Sequence, residues 1–161
     1  MKMRILYKLL FIIAICFSLS QIVAQNKYKC MVQMTNYDGE AAYIVVSLIN
    51  LQGQYEKTLY MMGDDSEWYD SLKEWFSFFK KKSTNIDAIT GASITGGNRQ
   101  TIMLNLDDKL LDKGYKIRFE SVVEDQKYYT TDAEVPFSSQ EITAKTEGKG
   151  YIRYVKFSKA K

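Results

Sequence analysis

The sequence predicts an all-β fold: an antiparallel β-sandwich of immunoglobulin-like build, with one amphipathic helical insertion. Three observations point there. Short runs of alternating or β-branched apolar residues recur along the chain, separated by Gly, Asn and Asp turns. One stretch alone, between Trp68 and Phe79, changes to a helical period. The chain of 161 residues, less an export leader, has the size of one domain.

The leader comes first. Lys2, Arg4 and Lys8 form a basic start, residues 9–19 are an almost unbroken apolar run, and Ala24 precedes polar Gln25-Asn26-Lys27. That is the pattern of a signal peptide over residues 1–24. Its apolar core, about 11 residues, falls short of the roughly 20 that a membrane span needs. An uncleaved amino-terminal anchor is the alternative. Cys16 follows Ile15, where lipidation asks for a small residue. Residues 25–161 then form the exported body, a single sandwich domain. A chain of that length buries about two-thirds of its unfolded surface and needs no metal or disulfide to hold a core. Cys30 is the body's one thiol, so it has no internal disulfide partner; it reads as a small buried residue.

Within the body, residues 27–36 alternate: Tyr28, Cys30, Val32 and Met34 against Lys29 and Gln33, a half-buried strand. Tyr37-Asp38-Gly39 is turn chemistry. Residues 42–49, AYIVVSLI, are apolar on both faces, which predicts a central strand covered on both sides. Residues 50–54 make a hairpin loop and residues 56–62 return as a strand. Trp68, Leu72, Trp75, Phe76 and Phe79 then fall at i, i+4, i+7, i+8 and i+11, one stripe of a helix. Asp64 is placed to cap its start, Glu67 to close a capping box, and Lys80, Lys81 and Lys82 to favour the macrodipole at its end. The stripe reads first as the face that holds the helix on a sheet, and second as an aromatic ligand platform. Residues 83–99 are loop-like, with Gly91, Gly96 and Gly97. Strand patterns follow at 101–106, 115–124, 128–135 and 151–157, with a polar excursion at 140–150. The total is at least seven strands and one helix.

Composition narrows function. The protein has no histidine, which excludes imidazole-based triads, most catalytic zinc sites and His-ligated haem. The formal net charge is +3, and the leader's three basic residues account for all of it. The body is neutral, so counting charges gives no reason to expect nucleic acid or anionic lipid as a partner.

One segment has chemical content. Residues 87–95, DAITGASIT, cluster the hydroxyls of Thr90, Ser93 and Thr95 beside the carboxylate of Asp87. Gly91 and Ala92 let the backbone approach something bulky. With no histidine to activate a hydroxyl, self-contained nucleophilic catalysis is disfavoured. A hydroxyl on an open loop can instead be the substrate of another enzyme. Asp87-x-x-Thr90-Gly91-Ala92-Ser93 resembles the flavinylation motif D-x-x-[S/T]-G-A-T. The resemblance implies that an FMN transferase, taking FMN from FAD with magnesium, attaches it to Ser93 as a phosphoester. It also implies that Asp87, Thr90, Gly91 and Ala92 are recognition residues, with Thr95 as a second acceptor. The acceptor is serine where the motif has threonine.

A second resemblance spans residues 28–135. Ala42-Tyr43-Ile44-Val45-Val46, Gly53, Lys57-Thr58-Leu59, Trp68, Leu72, Trp75, Asp87 to Ser93 and Gly114-Tyr115 are similar to a bacterial family of predicted periplasmic proteins, domain-of-unknown-function family 2271. The resemblance implies an exported β-sandwich near PepSY-type membrane proteins and FMN transferases in extracytoplasmic electron transfer. Val46 or Ser47 stands where members show a tryptophan, and Asn105-Leu106-Asp107-Asp108 where many have a Trp-Asp-Gly-like lead.

Together these give the expectation of an envelope electron carrier with covalent FMN on Ser93 and Trp68, Trp75 or Tyr69 stacked on the ring. The alternative is a non-catalytic periplasmic binding module that docks on a membrane redox partner, its twelve tyrosines serving an interface. A hydrolase built on the acid pairs Asp64-Asp65, Asp107-Asp108 and Glu124-Asp125 competes with turn and cap roles at element ends. Asp107, Asp108 and Asp112 lack the spacing of an EF-hand loop.

Overall fold

The computed structural model describes residues 25–82 and 84–160; the expected leader, residues 1–24, lies outside the described residues. Nine strands form two sheets: β1 (Gln25–Met34), β2 (Tyr43–Ile49), β3 (Tyr55–Met62), β4 (Thr90–Gly91), β5 (Arg99–Asp107), β6 (Lys116–Val122), β7 (Tyr129–Pro136), β8 (Lys145–Glu147) and β9 (Ile152–Lys159). One sheet has the order β5-β1-β9-β8, the other β4-β3-β2-β6-β7. Every pair is antiparallel except the two-residue contact of β4 with β3. The all-β sandwich expected from the alternating runs is present. Its strand order is its own: the first and last long strands, β1 and β9, are neighbours in one sheet, whereas the immunoglobulin order places its first and last strands in different sheets. β4 and β8 lie in stretches expected to be irregular; at two and three residues they are too short to show a period.

The alternating residues meet between the sheets. Tyr28, Cys30 and Val32 of β1, Ile44 and Val46 of β2, Phe119 of β6 and Phe157 of β9 belong to one buried cluster. Phe119 and Phe157 pack edge to face with centroids 6.2 Å apart. Burial pushes the Cys30 thiol pKa up, which keeps it an unreactive packing group.

β2 is buried on both faces, as its composition predicts. Ile44, Val46 and Leu48 join the inter-sheet core, while Val45 packs in a second cluster with Met61, Tyr69, Leu72, Trp75, Ile86 and Val122. That second cluster is roofed by the helical segment. The single helix expected from the stripe is in fact broken: a six-residue 3-10 turn, Ser66–Ser71, precedes helix α1 (Lys73–Lys82), with Leu72 between them at φ −85, ψ 62. The break turns Trp68 outward, 41% exposed, while Leu72 and Trp75 are fully buried. Trp75 is the anchor. Its Nε1 donates to Thr58 Oγ1 on β3 at 2.9 Å, and its ring stacks on Phe79 at 4.8 Å. The bond satisfies the one polar atom of a large apolar ring that is otherwise sealed from water.

The cap also differs from expectation. Asp65, not Asp64, accepts the Glu67 N–H, at 3.0 Å, because the segment starts as a 3-10 turn one residue later. Asp65→Ala is therefore expected to lower stability by about 1 kcal/mol in a urea titration, and Asp64→Ala to leave the midpoint unchanged. Equal effects of the two would contradict this assignment.

Candidate functional site

The hydroxyl-rich segment is held in place by its own backbone. Asn85 Oδ1 accepts the Asp87 N–H at 2.8 Å and starts a 3-10 turn, Asp87–Ile89. Thr90 Oγ1 donates to the Ile86 carbonyl at 2.9 Å, and Ile86 is buried beneath α1. Thr90 and Gly91 pair with Met61 and Met62 at the edge of β3, and Gly63 N donates to Gly91 O at 2.6 Å. Three residues on, Ile94 and Ala42 exchange backbone bonds of 2.8 and 3.2 Å. Tyr37 braces that bridge: its hydroxyl donates to Ile94 O at 2.7 Å and accepts from Ala42 N at 2.9 Å. Ala92 and Ser93 are thus fixed at both ends. At Gly91 a β-carbon would run into the Tyr60 hydroxyl, so the bulky group this glycine admits is the protein's own tyrosine.

Ser93, half-buried, lines a cleft of about 510 Å3. Tyr43, Trp68 and Tyr128 supply aromatic wall; Glu40, Asp70, Glu124 and Asp125 face Lys73 around it. The volume falls in the range of small-molecule sites. Thr90 is tied to Ile86, and Thr95, exposed, accepts from the Asn98 amide; among the described residues the Ser93 hydroxyl has no such partner. Asp87 and Thr90 lie elsewhere, in a second depression of about 450 Å3 with Asp64, Ser66, Tyr69 and Phe79. The structure therefore brings Ser93 together with Trp68 and separates it from Asp87 and Thr90. Of the three aromatic residues expected beside a cofactor, Trp75 and Tyr69 are core instead. The Tyr69 hydroxyl donates to Gly63 O at 3.0 Å, and its pKa is raised by burial.

The acid pairs divide in the same way. Asp65 and Asp107 are caps, the latter accepting Lys109 N at 2.9 Å. Asp108 accepts the Tyr28 hydroxyl at 2.7 Å, a bond that holds its carboxyl below the usual range. Glu124 and Asp125 alone of these reach the cleft.

A group that sequence reasoning missed stands behind the cleft wall. Glu120 on β6 is fully buried under the helical layer, opposite Val45. The Tyr128 hydroxyl donates to its Oε2 and accepts from Glu74 N at 3.2 Å, so one side chain joins the cleft, the start of α1 and the buried acid. Glu120 Oε1, Tyr55 Oη and Ser47 Oγ are buried without a partner among the described residues. In an alternating strand Glu120 resembles any solvent-face acid. The available signal was β2: a neighbour apolar on both faces implies that this face of β6 is covered too. Burial pushes the Glu120 carboxyl from 4.5 up to about 7, against the pull of Tyr128, Tyr55 and Arg118.

The unfolded chain releases that proton in the ordinary carboxylate range and the folded one holds it longer. Stability from this residue is thus present below about 4.5 and lost as pH rises to about 7. The loss is roughly 3 kcal/mol. Urea midpoints measured across this window are expected to fall for the native protein. Glu120→Gln removes that fall; a variant with an unchanged slope rules the assignment out.

Among the described residues no helix is long and apolar enough to cross a membrane. The chain matches no curated protein and no solved structure. It does match one family profile over residues 25–154, from the start of β1 into β9. That span includes Ser93, the cleft and both sheets. The chain belongs to the DUF2271 family, whose members are described as predicted periplasmic proteins, and its place is the periplasm.

Proposed function

We propose that this periplasmic protein, exported by its leader as one sandwich domain, is an electron carrier that receives FMN on Ser93 and holds the flavin in the adjoining cleft. The observation that supports it most is the state of Ser93. Its hydroxyl is free of internal bonds, sits between two backbone clamps and lines a cleft with the exposed Trp68. Exposed Ala92 beside it leaves room for a transferase to approach. Thr95 lacks these features: it accepts from Asn98 and does not line the cleft.

In the attachment, Ser93 Oγ attacks the FMN phosphorus of FAD. A new P–O bond forms, the pyrophosphate P–O bond breaks, AMP leaves with the bridging oxygen, and the hydroxyl proton passes to a base of the magnesium-dependent transferase. The residues present fit such a group in one specific way. Four carboxylates against Lys73 make the cleft unwelcoming to a free phosphate. Charge does not retain FMN here; a covalent link would. Trp68, Tyr43 and Tyr128 offer apolar faces for a planar ring. FMN, once bound, supplies the redox chemistry, and the chain positions it and limits water. Its partners in this reading are the transferase and a PepSY-type membrane protein.

Co-expression with an FMN transferase, followed by intact-mass and visible-absorption measurement, tests this. The expected product gains one FMN less one water. Ser93→Ala stays colourless, whereas Thr95→Ala is modified normally. A chain that remains unmodified removes the proposal, and a flavinylated Ser93→Ala moves the acceptor.

A further inference from the structure

The body is neutral by count, yet its charges are sorted in space. Acids gather at the cleft, on the outer side of the β4-β3-β2-β6-β7 sheet. The outer face of the other sheet is basic. β1 points Tyr28, Cys30 and Val32 into the core, so Lys27 and Lys29 face out. On the neighbours, Met103 stands opposite Lys29, Arg99 opposite Gln33, Lys156 opposite Met31, and Lys145 opposite Lys156. Lys27, Lys29, Arg99, Lys145 and Lys156 are exposed. Glu147 and Asp107 are the acids on this face; Lys145 takes Glu147 at 3.1 Å, and Asp107 accepts the Lys109 N–H at 2.9 Å. Among the described residues no carboxylate pairs with Lys27, Lys29, Arg99 or Lys156.

Lys145 and Lys156 are directly opposed across the strands, and Glu147 pairs with Lys145, leaving Lys156 without a carboxylate partner among the described residues. Met103, 42% exposed, and Met31, half-buried, sit among the lysines, so apolar side chains share the basic surface. We propose that this sheet face docks the protein on an anionic phospholipid surface, with the lysines on headgroup phosphates and the methionines at the acyl boundary.

Charge favours an anionic lipid surface: Lys27, Lys29, Arg99, Lys145 and Lys156 stand on this face against Asp107 and Glu147. A charged lipid surface needs no matching shape, and attraction acts over about 10 Å at moderate salt. Basic residues next to apolar ones are the composition that binds such an interface. This inference is independent of the flavin and stands or falls without it.

The test is co-sedimentation of the native protein with vesicles. Phosphatidylcholine vesicles containing about a quarter phosphatidylglycerol are compared with pure phosphatidylcholine, at about 50 mM and about 500 mM salt. Binding is expected only to the anionic vesicles and only at low salt. Lys29→Gln combined with Lys156→Gln weakens it about tenfold or more, and Lys113→Gln, outside the face, leaves it unchanged. Should the double variant misfold, lipid and salt dependence of the unmodified protein still decide. No sedimentation at low salt, equal binding to neutral vesicles, or an unaffected well-folded double variant overturns the proposal. So does binding to soluble polyglutamate or nucleic acid with none to vesicles.

Discussion

The structure depends on β2 having two apolar faces. A strand of a two-sheet sandwich buries one face against the opposite sheet, and Ile44, Val46 and Leu48 do this. Val45 on the other face cannot be left in water, so a third layer must cover it. The 3-10 turn and α1 supply that layer, and Trp75 fastens it by stacking on Phe79 and bonding Thr58. The consequences spread outward. Covering β2 also covers its neighbours, which traps Ile86 and so fixes where the DAITGAS segment leaves the core. The same layer brings Trp68 and Lys73 to one side of the cleft that Ser93 lines.

That covering layer is imperfectly apolar. It seals Glu120, Ser47 and Tyr55 with polar atoms unpartnered, each of which costs free energy in a low-dielectric surround. Tyr128 relieves part of the cost at Glu120 Oε2, and does so from the cleft wall. A buried carboxyl that holds its proton to about pH 7 is thereby one side chain removed from the candidate site. Anything that displaces Tyr128 from Glu120 makes ionisation there harder still, since the hydroxyl favours the charged form. The cleft wall and the buried acid are thus joined through a single phenol.

The legible parts of this fold were those with a long period. β1 and β2 announce themselves through seven or more residues of alternation or sustained apolarity, and their partners by the same signal. β4 and β8 do not, because two or three residues cannot display a period of two. The helical stripe holds for Leu72 and Trp75 and fails at Trp68. Side-chain spacing cannot register a backbone break at Leu72, whose ψ of 62 rotates everything before it. Adjacent Asp64 and Asp65 offered two caps, and only the turn geometry chooses. The resemblance to the flavinylation motif points to Ser93, but the freedom of its hydroxyl from internal bonds is a tertiary fact. So is the separation of Asp87 and Thr90 from it, since residues six and three positions earlier turn into a different depression.

Net charge misled for a related reason. Strand parity sorts residues by face: on β1 the even positions from 28 to 34 are core, so any lysine at an odd position is sent to one surface. β5 and β9 follow the same rule in register, and their cations accumulate beside it. The cleft acids collect on the opposite side: Asp70 from the helical layer, Glu40 from the loop between β1 and β2, and Glu124 and Asp125 from the turn between β6 and β7. A charge count over the whole body hides both clusters. The core is about 10 Å thick between sheets. The basic face and the acidic cleft are therefore held on opposite sides by the inter-sheet packing itself. The sandwich thus holds the basic face and the acidic cleft apart, and the constraint that separates them is the one that makes β2 central: two faces, each of which must be covered by something different.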